Sequence, residues 1–347
     1  ERAWAYVGLG GQLGAMGRMS EAQAATRRGL ALDPTLAAGW SVLSSIAQAQ
    51  GHDEEALTAA RATRQTLARS DRGGVTPRAK AQDMISANAM AAELVGDFRR
   101  GEGVMAGASR LEGYQFNGPG HAVEAAIDAI FAHQRTSPWP VALAGDDPET
   151  PVYRARLLAA EAWARDDWSR ALPAIEQLQT VSAAAPDAAE RARLWPVEVW
   201  PWQAYGYARS GRVAEARALI ERTPLDCYLC LRMRGEIAAL AGDRRGADDW
   251  FGRAVRTAPS LPFAYGEWGR AVDGFGDHDR ARQLFASARA RGPDWPDPLL
   301  WQGESLLRQG RAADASPRFR AALAAAPGWP AARQGAARAE AASRGSH

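Results

Sequence analysis

Three stretches of the chain decide the fold, namely 235–259 GEIAALAGDRRGADDWFGRAVRTAP, 269–293 GRAVDGFGDHDRARQLFASARARGP and 303–327 GESLLRQGRAADASPRFRAALAAAP. Each stretch starts 34 residues after the one before it. Six columns keep register through all three: Gly235, Gly269 and Gly303; Gly242, Gly276 and Gly310; Ala247, Ala281 and Ala315; Phe251, Phe285 and Phe319; Ala254, Ala288 and Ala322; Pro259, Pro293 and Pro327. This agreement indicates a repeated structural unit over 228–327.

Each unit predicts two antiparallel helices. In the first unit, a helix over 229–241 ends at Gly242, because glycine readily adopts the left-handed conformation that closes a helix. Asp243 is placed to cap the second helix, which runs over 246–257 and stops before Pro259. The small columns let the two helices approach closely, and the Phe column fills the space between units. A lone unit cannot bury that ring, so the units are expected to stack.

The spacing and the order of a small residue, Ala, an aromatic residue and Pro resemble the pattern of the tetratricopeptide-repeat family. The resemblance implies an all-α fold, in which helical hairpins stack into a right-handed superhelical solenoid. It also implies a concave surface lined by the first helix of each hairpin. The function expected from it is a non-catalytic scaffold that binds a peptide or protein segment in this groove.

The same template extends, with weaker matches, toward both ends of the chain. It fits 3–34, then a unit whose second helix runs on to about Arg69, then a worn unit over about 82–112. Repeats resume at Val152. A polar helix over 331–342 is expected to cap the stack, which terminal repeats require for solubility. About eight hairpins and a cap are therefore predicted.

An irregular segment interrupts the repeats. A helix is predicted over 121–134, and four prolines over 136–151 predict a loop. The expected division is into N-terminal repeats (1–112), an irregular helix with a Pro-rich insertion (113–151), C-terminal repeats (152–330), and a capping helix with its tail (331–347). An enzyme with its active site on the insertion is kept as an alternative function.

Composition argues against several classes of protein. The 347 residues include 42 Lys and Arg against 40 Asp and Glu, a net charge of +2, so the basic footprint of a protein that binds nucleic acid directly is missing. The sequence contains no run of 18 apolar residues, which predicts no membrane insertion.

The N-terminus enters a repeat without an initiator Met, which suggests a truncated start. A second alternative function follows from this, namely the ligand-sensing or regulatory half of a larger signalling or transcription-regulator protein whose N-terminal effector domain is missing. A cytoplasmic location is favoured, and a periplasmic one is kept open because of the start. The oligomeric state is left open.

No motif predicts catalysis, a metal site or a cofactor. None of the five His has a metal-binding partner four residues on, and no phosphate-binding loop or nucleophile elbow stands in the strand context it needs. The adjacent carboxylates Asp166 and Asp167, and likewise Asp248 and Asp249, are interpreted as helix caps. We therefore predict that the protein is not an enzyme.

Cys227 and Cys230 form a lone Cys-x-x-Cys. A redox site of this type needs a preceding strand, and a zinc site needs two more ligands; neither is visible. We interpret the two residues as buried small hydrophobes at the start of a repeat helix. A disulfide between them is the strained alternative.

The predicted groove consists of positions one turn apart on the first helices that avoid the packing columns. Arg and aromatic side chains suit an extended peptide, because guanidinium groups bind carboxylates and rings bind apolar side chains. The predicted groove residues are Arg156, Trp163, Glu198, Trp202, Tyr205, Arg232, Glu236, Arg270, Trp301, Glu304 and Arg308. Packing in the core, or pairing on a solvated helix face, is the alternative role for each of them.

One known use of the family is not supported. Repeats that grip the C-terminal carboxylate of a chaperone carry a set of Lys, Asn and Arg on their first helices. The corresponding places in the N-terminal units here hold Val7, Gly11, Ser41 and Ser45. Binding of chaperone tails is therefore not expected.

Overall fold

The computed structural model describes residues 2–69, 77–108, 119–134, 150–184 and 188–345. Within these ranges the chain forms nineteen helices and no strand. The helices are α1 (Arg2–Ala15), α2 (Met19–Leu32), α3 (Ala37–Ala49), α4 (Asp53–Arg69), α5 (Pro77–Glu93), α6 (Phe98–Ala108), α7 (Pro119–Phe131), α8 (Thr150–Ala164), α9 (Trp168–Ala183), α10 (Ala188–Glu198), α11 (Trp200–Arg209), α12 (Val213–Ile220), α13 (Tyr228–Leu240), α14 (Arg244–Thr257), α15 (Phe263–Gly274), α16 (His278–Arg291), α17 (Asp297–Arg308), α18 (Ala312–Ala325) and α19 (Pro330–Gly345). The predicted all-α fold is confirmed.

Sixteen of the described helices pair as antiparallel hairpins. The pairs are α1–α2, α3–α4, α5–α6, α8–α9, α11–α12, α13–α14, α15–α16 and α17–α18. First helices of neighbouring hairpins also contact one another, as α13 contacts α11 and α15. The helix α7 packs between α6 and α8, and α19 covers the last hairpin. The result is the predicted right-handed superhelical solenoid of tetratricopeptide-like hairpins.

The first clean unit shows how the sequence forms a hairpin. Gly242 follows α13 with a φ of +76°, in the left-handed region that favours glycine. The Asp243 carboxylate then accepts a hydrogen bond from the Gly246 N–H at 2.8 Å and so caps α14. Both of these sequence predictions are confirmed.

The Phe column fills the space inside and between hairpins. Phe251, Phe285 and Phe319 are at most 1% exposed. A Cβ atom on Gly235 would come within 2.8 Å of the Phe251 ring, so only glycine admits the ring at this place. Burial of one such side chain stabilises the fold by about 1.5–3 kcal/mol.

The superhelix also packs on itself. Turns within the N-terminal hairpins contact connections between the C-terminal hairpins. The Tyr228 N–H donates a hydrogen bond to the Gly51 carbonyl at 2.9 Å. Farther along, the ring of His133 stacks on Trp329 with 3.7 Å between ring centroids. Residues almost two hundred positions apart are therefore neighbours, which the local repeat pattern does not predict.

An apolar core lies at this contact between the two halves. Leu57 of α4 and Ala87 of α5 belong to the same buried cluster as Tyr228, Leu231 and Leu261 from the C-terminal half. The three leucines and the tyrosine are at most 1% exposed. The N-terminal and C-terminal repeats thus contribute side chains to one common core.

The structure adds a helix that the sequence did not predict. The unpaired helix α10 precedes α11, and its Arg193 side chain lies against the turn at Gly17. The predicted loop over 136–151 lies outside the described residues, apart from the start of α8 at Thr150. The division of the chain into four segments stays a prediction.

The interpretation of these four carboxylates as helix caps is wrong, since in the described structure none of them accepts a hydrogen bond from a backbone N–H at a helix start. Asp248 lies within α14 and accepts hydrogen bonds from Trp268 Nε1 at 2.6 Å and from Arg280 Nη1 at 2.9 Å. Asp167 stands at the N-cap position of α9 but accepts no capping hydrogen bond there. Asp248 therefore links one hairpin to the next.

Candidate partner-binding groove

The first helices α11, α13, α15 and α17 carry a row of polar and aromatic side chains, called the ladder below. It includes Tyr205, Arg209, Arg232, Glu236, Arg270, Trp301, Glu304 and Arg308. Near its start, Tyr205 Oη accepts hydrogen bonds from Arg270 Nη2 at 3.1 Å and from Arg209 Nη1 at 3.4 Å. Arg270 also pairs with Glu236 at 2.8 Å, and Arg209 pairs with Asp166 at 2.7 Å. Two guanidinium groups from different hairpins therefore converge on one phenol oxygen. Burial raises the pKa of Tyr205, so its hydroxyl stays protonated.

A pocket of about 240 Å³ opens beside these two arginines. Its lining residues are Arg209, Glu236, Ala239, Leu240, Arg270, Ala271, Gly274 and Phe275. Leu240 is 42% exposed and offers apolar surface at this pocket. Positive charge next to exposed apolar surface suits a ligand that joins a carboxylate to an apolar group.

The ladder repeats with the period of the fold. Tyr205 occupies the same column as Glu236, Arg270, Glu304 and Arg338, and the last four are spaced 34 residues apart. Glu236 pairs with Arg270, and Glu304 pairs with Arg338 of α19 at 2.5 Å. Neighbouring hairpins thus place the same column side by side, and alternating charge turns these neighbours into ion pairs. Extending the 34-residue columns into α19 would have revealed the partner of Glu304 from sequence.

Arg232, one of the predicted groove residues, lies below the surface. It is 8% exposed, and its Nε donates to Glu267 Oε2 at 2.8 Å while a second guanidinium nitrogen binds the other carboxylate oxygen. Burial alone would lower the pKa of Arg232, but Glu267 raises it above its ordinary value. This geometry favours the packing role, because the pair holds α13 against α15.

Three predicted groove residues belong to one aromatic cluster. Trp163 and Trp202 meet edge to face with 3.6 Å between ring centroids, and Tyr205 lies 5.7 Å from Trp163. Trp168 joins the cluster, with its ring 4.9 Å from Tyr205. Trp163 and Trp202 are half-buried, so the cluster packs α8 on α11 and leaves part of its surface accessible.

The C-terminal end of the ladder is also paired within the chain. Trp301 lies under Arg270, whose Cζ is 5.0 Å from the ring centroid. Arg308 is exposed and bonds to Asp273, which is buried and also accepts from Ser305. The groove residues in this part therefore each have a partner within the chain, including Glu304 with Arg338 of α19.

Arg156 and Glu198 lie apart from the ladder, toward the N-terminal half. Arg156 binds Glu124 of α7 at 2.7 Å, and Glu124 raises its pKa, as Glu198 does more weakly. Asp53 at the start of α4 is close enough to be influenced by Arg232 and Glu198. Burial raises the pKa of Asp53 to about 7. Charged groups of both halves therefore influence one another where the halves meet.

In the ranges given above, no three His, Cys, Asp or Glu residues are placed to hold a metal ion. His278 Nδ1 lies 2.7 Å from Asp273, and His52 Nε2 lies 3.2 Å from Asp226, so both support local structure. No helix of the described chain is long and apolar enough to span a bilayer.

Cys227 and Cys230 are fully buried, as predicted, but they are not free thiols. Their sulfur atoms form a disulfide, with the Cα atoms 5.2 Å apart. Cys227 is also the N-cap residue of α13 and lies against the turn at Gly51. The pair therefore belongs to the contact between the two halves.

Hairpin geometry, repeat columns and the ladder together define a solenoid of the tetratricopeptide-repeat fold. Human IFIT1 shares this fold. The structure of the human IFIT1 dimer with m7Gppp-AAAA has 14% sequence identity and a TM-score of 0.52, and the match covers 93% of this chain and 77% of that one. A monomeric IFIT1 mutant with Gppp-AAAA matches at 14% identity and a TM-score of 0.52, covering 95% and 79%. The TPR domain of P58(IPK) matches at 13% identity and a TM-score of 0.31, covering 100% and 99%.

No protein-family model matches the sequence, and no curated protein matches it. The IFIT1 structures contain capped oligoadenylates. Proteins of this fold can therefore hold a nucleic-acid ligand, and the sequence-based exclusion of nucleic acid is unsupported.

Proposed function

We propose that this protein is a non-catalytic scaffold that binds a peptide or protein segment along the face formed by α11, α13, α15 and α17. The observation that carries the proposal is the pocket in which Arg209 and Arg270 converge beside the exposed Leu240. Each guanidinium has five N–H donors, so both retain donors after binding Tyr205 and one carboxylate each. A ligand carboxylate can use these donors while Tyr205 and the buried Glu236 keep their contacts with the two arginines.

The surrounding charges indicate how such a ligand would bind. Asp166, the partner of Arg209, has a side chain that is 62% exposed, so exchanging it for a ligand carboxylate costs little. Glu236 is only 5% exposed and holds Arg270 in position. Leu240 and Phe275 then offer apolar contact to the neighbouring ligand side chain. The expected ligand is a segment with an acidic residue, or its C-terminal carboxylate, next to an apolar residue.

The proposal can be tested by selecting binders for the full chain from a random peptide library and measuring their affinities by calorimetry. We expect the selected peptides to share an acidic group next to an apolar residue. Arg209→Gln should weaken their binding by about tenfold or more, because a charge-assisted hydrogen bond is lost. The matched control is Arg212→Gln, which removes an exposed arginine three residues on that pairs with Glu215.

A double-mutant cycle identifies the contact itself. Replacing the acidic group of the peptide by its amide should weaken binding to the wild type far more than binding to the Arg209→Gln variant. If amide replacement costs the same in both proteins, or if the Arg212→Gln variant loses as much affinity as Arg209→Gln, the proposed groove is not the binding site.

A further inference from the structure

A second charged pocket lies between α4 and α5 in the N-terminal half, apart from the ladder. Its volume is about 610 Å³, and its lining residues are Arg61, Arg64, Gln65, Ala68, Met84 and Asn88. The four α4 residues are spaced by three and four, so they share one face of that helix. Met84 and Asn88 stand one turn apart on α5.

Three arginines gather here, and the described acid that interacts with one of them is Asp97, beside Arg100. Arg61 and Arg64 form no ion pair within the described part of the chain. Arg100 of α6 donates from Nη2 to Asn88 Oδ1 at 3.5 Å, which brings a third guanidinium to the pocket. The carboxylate of Asp97 accepts from the backbone N–H of Arg100 at 3.3 Å rather than from its guanidinium.

The charges of these arginines repel one another. Burial lowers the pKa of Arg64, and the positive charges of Arg100 and Arg61 lower it further. Arginine stays protonated in proteins, so the repulsion is not removed by loss of a proton. Most arginines of the C-terminal ladder differ in this respect, since Arg209, Arg232, Arg270 and Arg308 each face a carboxylate. An anion in the N-terminal pocket would supply the missing counter-charge.

We infer that this pocket binds a phosphate-bearing ligand through Arg61, Arg64 and Arg100. A phosphate monoester carries up to two negative charges and three acceptor oxygens, so it matches three guanidinium groups better than a single carboxylate does. The volume lies within the range of about 300–1,000 Å³ that is usual for ligand sites. The phosphates can belong to a small polyphosphate or to a phosphodiester chain. A phosphodiester carries one negative charge and two non-bridging oxygens per phosphate, so neighbouring phosphates of such a chain would share the three arginines.

The test uses the full chain at low salt and two probes. Binding of inorganic tripolyphosphate is measured by calorimetry, and binding of a fluorescein-labelled oligoadenylate without a terminal phosphate is measured by anisotropy. We expect saturable binding in at least one of the two, and the probe that binds distinguishes a compact polyphosphate from a phosphodiester chain. The double variant Arg61→Gln, Arg64→Gln should raise the dissociation constant about tenfold or more.

The matched control is Arg217→Gln on α12, an exposed arginine outside the pocket. It should change the dissociation constant less than about twofold, since only net charge is altered. Absence of saturable binding in both probes overturns the inference, and so does an equal loss in Arg217→Gln. If the double variant melts early, Arg61→Gln alone carries the same comparison, because Arg61 is exposed and forms no ion pair with the described residues.

Discussion

Seven glycines with φ between +72° and +85° each end the first helix of a hairpin. Their surroundings differ between the two halves of the molecule. A Cβ atom at any of the three N-terminal ones would come within 2.8 Å of the opposite half. These are Gly17 against Arg193, Gly51 against Cys227 and Gly96 against Trp295. At the four C-terminal ones, Gly211, Gly242, Gly276 and Gly310, nothing lies within 4 Å. The same turn therefore contacts the opposite half in the N-terminal hairpins and has open space around it in the C-terminal hairpins.

The cores of the two halves differ as well. Counting from the turn glycines, the place of Phe251 is taken by Thr26 in the first hairpin and by Ala60 in the second. Thr26 is fully buried, and its hydroxyl donates to the Ala22 carbonyl at 2.8 Å. Ala60 belongs to the core shared with Tyr228. The first two hairpins bury smaller side chains in this column, so we expect them to depend more on contact with the C-terminal half.

The two halves also differ in whether their buried charged groups are paired. In the C-terminal half, Arg232 and Glu267 neutralise each other. In the N-terminal half, Asp128 of α7 is 4% exposed, and its Oδ2 has no hydrogen-bond partner in the described structure. Burial raises the pKa of Asp128 to about 9, and Glu93, Glu124 and Glu102 raise it in the same direction. Asp128 is therefore protonated at neutral pH.

The largest change in the free energy of unfolding is expected in the Phe column, where the cores of the C-terminal and N-terminal hairpins differ most. Phe285→Ala should lower the free energy of unfolding by about 3–5 kcal/mol, because a fully buried ring is replaced by a cavity. Thr26→Ala, at the same column of the first hairpin, should cost about 1 kcal/mol through its lost hydrogen bond. Urea unfolding followed by circular dichroism measures both. Equal costs for the two variants would contradict the contrast between the cores.

A smaller difference in the free energy of unfolding is expected between turns that contact the opposite half, such as Gly51, and turns that do not, such as Gly242. Gly51→Ala and Gly242→Ala share the cost of a side chain at positive φ, about 1–2 kcal/mol each. Gly51→Ala should cost about 1–3 kcal/mol more, because its Cβ would overlap Cys227, including backbone atoms. Paired urea titrations give the difference. Equal destabilisation of the two variants would contradict the contact of Gly51 with Cys227 between the two halves.

The smallest effect, counted per pH unit, concerns the buried acid Asp128. In the folded protein Asp128 keeps its proton up to about pH 9, whereas in the unfolded chain it loses it near pH 4. The folded state thus binds one more proton in between, so stability is present at low pH and is lost as pH rises toward 9. Asp128→Asn should reduce this fall, by up to about 1.4 kcal/mol per pH unit between pH 7 and 9.

Urea titrations at pH 7, 8 and 9 check this, with Asp279→Asn as the control, since the Asp279 side chain is 82% exposed. Glu93 and Asp53, whose pKa values burial raises to about 7, contribute mainly below this interval. Parallel pH dependence in wild type and Asp128→Asn would show that Asp128 carries no extra proton.

Much of the hairpin architecture could be predicted from the sequence, but little of the groove. The end of α13, the cap at Asp243 and the long α4 follow from residues close to one another in the chain. The burial of Arg232 does not, because its partner Glu267 lies on the next hairpin and only the packing of α13 on α15 brings them together. Whether the eleven predicted groove residues contact a partner stays a prediction.

The sequence by itself determined the repeat, its turns and its Phe columns, because these depend on helix periodicity and on the short-range conformations of Gly, Asp and Pro. Only the tertiary structure decided that Gly51 meets Cys227, that His133 stacks on Trp329, and that Arg100 reaches Asn88 at the pocket of Arg61 and Arg64. These contacts depend on small rotations between hairpins that add up along the superhelix. No local pattern of residues encodes their sum.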